Sequence, residues 1–143
     1  MKMIIYLIFI LFISIPVFGN DHCKILDVLD SSEINFEKET IPKKLSKLYW
    51  KRYGFRIKIA NPDEEWNNTD LVSRKENNRQ LIFACKNKKS GFVFVKSGGS
   101  AISKTCILYD LKSGYIQNIG LNWSASTKEE VMDAISHYLK CDN

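Results

Sequence analysis

The sequence predicts an α+β fold. We expect a single small domain with an antiparallel sheet of about five strands, and one face carrying a helix from the N-terminal half and a C-terminal helix. Three observations lead there. Two segments, near residues 42–53 and 127–140, repeat apolar residues at helical spacing. Between them lie short runs of β-branched and aromatic residues, separated by Asn, Gly and Ser turns. No repeat, low-complexity tract or Pro/Gly/Ser linker marks a second domain.

The elements follow in order. Cys23 to Leu29 reads as a short helix with Ile25, Leu26 and Leu29 on one side, and Ser31 to Glu39 as a polar, irregular stretch. Pro42 suits the first position of a helix, and Gly54 suits its left-handed end. Leu45, Leu48 and Tyr49 share a face with Ile41, while Lys43, Lys44, Lys47 and Lys51 fill the opposite arc. Phe55 to Ile59 alternates as a half-buried strand does, and Asn61 to Asp70 is an irregular excursion carrying Asp63, Glu64 and Glu65. Leu71 to Lys75 is expected as a short edge strand, turning at Asn77-Asn78 into a strand over Gln80–Cys85. After the turn Asn87 to Gly91, the continuous run Phe92–Val95 suits a central strand. Ser97 to Ser100 is a loop, and Thr105 to Leu111 is a strand joined through Ser113-Gly114 to another over Tyr115–Ile119. Ser126 and Glu129 form a capping box for a helix to about Lys140, with Val131, Met132, Ile135, Tyr138 and Leu139 as its stripe.

The first residues speak about location. Lys2 precedes an apolar run from Met3 to Ser14, and Val17 and Gly19 stand at signal-peptidase spacing after Pro16. We therefore expect residues 1–19 to be a signal peptide and 20–143 the mature domain, exported to a periplasm or secreted. Beyond this leader stand four cysteines, Cys23, Cys85, Cys106 and Cys141. An even number in a short exported chain predicts two disulfides, of three possible pairings. The expected pairs are Cys23–Cys141, tying the termini, and Cys85–Cys106, within the sheet.

The chain carries a formal net charge of +5, and the charge is uneven. Lys38, Lys43, Lys44, Lys47, Lys51, Arg52, Arg56 and Lys58 fall in one stretch whose only acid is Glu39. Such a cluster favours an acidic partner. An acidic protein is favoured over nucleic acid or an anionic membrane surface. Lys43, Lys44, Lys47, Trp50 and Lys51 make the leading binding surface, since basic and aromatic residues together are common at interfaces.

Catalytic signals are sparse. His22 and His137 would approach each other if Cys23 bonds Cys141, and two imidazoles can divide acid and base roles. The Cys-Lys-x-x-Asn-Thr-Phe signature of pancreatic-type ribonucleases fails at Cys85-Lys86, however, where Asn87-Lys88-Lys89 follow. Adjacent acids such as Asp63, Glu64 and Glu65 point in different directions, as on a solvated loop. No zinc-ligand spacing, phosphate loop, dinucleotide fingerprint or Gly-x-Ser-x-Gly occurs, so no catalytic residue, metal or small-molecule cofactor is assigned. Over the loop Lys96–Ala101 the chain resembles the Ser-Gly loop that periplasmic c-type lysozyme inhibitors insert into their target. That resemblance implies an inhibitory role and adds Ser97 and Gly98 to the binding candidates. The expectation is an exported, non-enzymatic binding protein: a periplasmic inhibitor or immunity protein that neutralises an enzyme toxin. The alternatives are a small secreted hydrolase, nuclease-like or acting on cell wall, and an envelope structural component.

Overall fold

The computed structural model describes residues 22–69 and 76–141. The expected leader and the expected strand Leu71–Lys75 lie outside them. Helix α1 spans Cys23–Asp30, and strand β1 covers Ile34–Asn35. A 3-10 turn over Lys38–Thr40 leads to helix α2, Lys43–Tyr53. Strand β2 (Ile59–Ala60) precedes four long strands, β3 (Arg79–Lys86), β4 (Ser90–Ser97), β5 (Ser103–Asp110) and β6 (Tyr115–Leu121). Helix α3, Lys128–Leu139, follows. The sheet runs β1-β3-β4-β5-β6 with antiparallel pairing, and β2 lies parallel to the start of β3.

Helices cover both faces of this sheet, not one. Phe92 and Phe94 of β4 join Ile25, Leu29, Val131 and Ile135 beneath α1 and α3. Their neighbours Val93 and Val95 join Leu45 and Tyr49 beneath α2. This explains the unbroken apolar run. Successive side chains of a strand point to opposite faces, so a strand covered twice has no polar side to show. A bulge in β3 serves the same end. Leu81 pairs with Val95 on the α2 side, and the register then shifts so that Phe83 pairs with Phe94 on the other.

Three boundaries differ from expectation. The alternating segment Phe55–Ile59 yields only β2, because the chain leaves α2 through Gly54 in a left-handed conformation (φ 78°). Phe55 then packs edge-on against Tyr49, and Asn78 ties the Lys58 backbone in place of a strand partner. The capping box sits one residue later than expected. Thr127 is the N-cap and Glu130 its partner, with the Glu130 carboxylate accepting from the backbone N–H of Ser126 (2.7 Å) and Thr127 (2.9 Å). Adjacent hydroxyl residues and adjacent glutamates made two frames equally readable. On α3, Tyr138 leaves the apolar stripe and is 47% exposed, while Val131, Ile135 and Leu139 are buried.

One disulfide is present, Cys23–Cys141, with Cα atoms 5.7 Å apart across 118 residues of sequence. The expected second pair does not form, and Cys85 and Cys106 are buried thiols. Cys85 faces Phe92 and Cys106 faces Phe94, so the two cysteines sit on β3 and β5 with β4 between them. Two inter-strand steps make about 9.5 Å, beyond the reach of a disulfide. Burial pushes both thiols above their ordinary range.

Candidate functional site

The expected recognition surface is the outward arc of α2. Leu45 and Tyr49 are buried against the sheet, and this fixes the rotation of the helix. Lys43, Lys44, Lys47 and Lys51 are then exposed by geometry, together with Arg52. Trp50 is 56% exposed. It lines a groove of 330 Å3 with Lys43, Ser46, Lys47 and Arg56. Lys51 and Arg52 flank a second groove of 460 Å3, whose far wall is the β5–β6 turn and the start of β6. The structure therefore brings Lys43, Lys47 and Trp50 to one groove, and Lys51, one turn on from Lys47 along the same arc, borders the second.

Two members of the basic stretch are used structurally. Lys38 is paired with Glu64, whose carboxyl this ion pair and the Asn61 N–H hold below the ordinary range. Lys58 is engaged through its backbone, as described above. The rest are Arg56, at the Trp50 groove, and the five cations of α2, a helix with no acid along its length. The helices on the opposite face, α1 and α3, hold two lysines against five acids. The sheet thus separates a basic layer from an acidic one.

The first turn of α2 works against helix stability. Lys43 and Lys44 stand where the helix dipole is positive, no acid offsets them, and Pro42 supplies no side-chain cap. Tertiary contacts make up the deficit. On the buried side Arg79 Nη2 donates to the Tyr49 hydroxyl (3.0 Å), as does Asn118 Nδ2 (2.8 Å). The Asn118 N–H donates to the Tyr53 hydroxyl (2.9 Å). Arg79 also stands over the rings of Tyr49 and Phe55. These polar links from β3 and β6 anchor α2, and its charged arc is held rigidly outward.

Ser97 and Gly98 are placed elsewhere. The Ser97 hydroxyl accepts from Arg79 Nε (3.0 Å), and the Gly99 N–H reaches the Asn68 carbonyl (3.3 Å). Gly98 lies against the Asn68 backbone, where a Cβ would collide. The Ser-Gly loop is thus clamped onto the excursion after β2, and none of the described contacts joins it to the α2 lysines. The histidines are also apart in role. His22 stacks on Tyr115 at 3.9 Å, while His137 lines a groove with Asn122, Glu130 and Asp133. Among the described residues no cluster of three His, Cys, Asp or Glu side chains is arranged to hold a metal ion.

One basic feature escaped the sequence reading. Lys24, Lys88, Lys89 and Lys112 line a common groove of 610 Å3, though they come from three separate segments. The only hint in the sequence was the Lys86-Asn87-Lys88-Lys89 turn. Comparison with family models, with curated proteins and with solved structures returns no match, so the functional reading rests on these surfaces.

Proposed function

We propose that this chain is an exported, non-enzymatic binding protein that docks the α2 face onto an acidic protein, as a periplasmic inhibitor or immunity protein would dock onto a toxin enzyme. The observation carrying this reading is the arc of α2, whose cations have no acid partner among the described residues and stand beside an exposed Trp50 on an anchored helix. A protein with a strongly basic face is oriented by an acidic target before contact, which speeds productive encounter. A disulfide joining the termini suits a scaffold that works in an oxidising compartment.

The test is affinity capture with the purified mature protein, run beside a Lys47→Glu/Lys51→Glu variant. Both residues are exposed, so folding should stay within about 0.5 kcal/mol of the parent. One stoichiometric acidic partner, captured by the parent and lost or weakened at least about tenfold by the variant, is the expected result. A partner retained equally by the folded variant would move recognition away from α2. Capture of no partner at all would defeat the inhibitor reading.

A further inference from the structure

A second binding site is built at the end of the sheet, where two hairpin tips meet α1. We propose that this groove binds a ligand carrying clustered phosphate groups, either free or displayed as a lipid headgroup. The β3–β4 tip and the β5–β6 tip lie side by side because the Leu111 N–H donates to the Lys89 carbonyl (2.7 Å). Lys88 and Lys89 project from the first tip, Lys112 from the second, and Lys24 from α1 alongside. Ile25 and Val28 contribute an apolar wall, with Val28 44% exposed.

Three features distinguish this groove from a solvated lysine face. At 610 Å3 it is larger than either groove beside α2, and lysines from three separate segments line it. Its backbone is already fixed. The Asn87 side chain accepts from the N–H groups of Lys89 (2.7 Å) and Ser90 (2.9 Å), which pins the tip before any ligand arrives. Its one acid, Asp110, is committed to its own turn, accepting from the Lys112 N–H (3.1 Å) and the Ser113 hydroxyl (2.7 Å). The lining therefore holds four lysines and one carboxylate, which keeps its charge. Every cation is a lysine, a compact point charge that can meet a phosphate oxygen without a fixed bidentate geometry. A helix arc offers an extended basic surface to a protein, whereas lysines gathered from three segments around one groove suit a small, dense anion.

The experiment uses the intact, disulfide-bonded mature protein at low salt with two probes. Sodium tripolyphosphate is titrated by calorimetry, and cardiolipin vesicles are compared with phosphatidylcholine vesicles by co-sedimentation. Binding of tripolyphosphate indicates a free polyphosphate ligand. Binding to cardiolipin vesicles alone indicates a headgroup. In either case Lys88→Gln/Lys112→Gln should weaken binding about tenfold, while the charge-matched Lys104→Gln/Lys128→Gln, away from the groove, should weaken it clearly less. Protection of Lys88, Lys89 and Lys112 from acetylation by the bound probe gives a readout on the unmutated protein. The proposal is overturned if neither probe binds, if Lys88→Gln/Lys112→Gln binds as the parent does, or if both variants weaken binding equally.

Discussion

At the scale of single residues, the Tyr49 hydroxyl is the point where α2 is tied to two strands of the sheet, accepting from Arg79 and Asn118. Tyr49 was legible as a core residue from helical spacing alone, and it is fully buried. Nothing in the spacing disclosed that its hydroxyl would accept from Arg79 of β3 and Asn118 of β6, because those partners are set by tertiary packing. Arg79 Nη1 and Asn118 Oδ1 are already buried without a partner among the described residues, so this corner tolerates little further loss. Tyr49→Phe would strand two more donors at nearly constant volume. We expect it to destabilise the fold by about 1–3 kcal/mol, where a methyl-sized surface change would cost almost nothing. Urea unfolding with an unchanged m-value would show this. A variant as stable as the parent would mean that the aromatic contacts, and not the hydroxyl, hold α2 in place.

At the scale of elements, the long strands and all three helices were readable locally, the helices from their spacing and the strands from their β-branched and aromatic runs. The short strands were not. β1 and β2 hold two residues each and exist through their pairing with β3, which no local pattern encodes. Capping chemistry makes α3 a pH-sensitive element. Backbone hydrogen bonds from Ser126 and Thr127 hold the Glu130 carboxyl below its ordinary value in the folded state. A group depressed on folding stabilises above its unfolded pKa, and the contribution is lost as pH falls through the folded one. Glu130→Gln should therefore lower the melting temperature at neutral pH, and the gap from the parent should close once the medium is more acidic than the carboxylate range. A gap that persists in acid would show that packing of Glu130, not its charge, matters. Helix α2 offers a contrast. Lys43→Glu/Lys44→Glu would place acids at the positive end of the helix dipole, a gain of about 0.3–1 kcal/mol per residue. The same change should weaken capture of an acidic partner. Stability rising while binding falls would mark these lysines as kept for recognition, and parallel changes in both would argue against it.

At the scale of the whole molecule, the order of elements was legible and their distribution over the sheet was not. A continuous apolar strand can be met by two helical layers or buried in another way, and only packing decides. The same limit applies to the cysteines. Their even number gave a correct pairing of the termini and an incorrect one in the sheet, since a count carries no information about which strands are neighbours. Two inter-strand steps separate Cys85 from Cys106, and each thiol is buried. Alkylation of the denatured, unreduced protein should accordingly label two cysteines, and the native protein should label none. Reduction of the remaining bridge acts on the entire chain, because Cys23 and Cys141 enclose 118 residues. In the chain-entropy view, opening a loop of that length costs about 4–5 kcal/mol, a drop on the order of 10–20 °C in melting temperature for a domain of this size. The bridge holds α1 against the end of α3, so reduction should release that layer first and expose the core beneath it. The α2 face, anchored by Arg79 and Asn118 on the other side of the sheet, should stay attached longer. Hydrogen exchange after mild reduction can separate the two layers. Earlier loss of protection in α1 and the end of α3 than in α2 is the expected order, and simultaneous loss would mean that the sheet does not insulate one layer from the other.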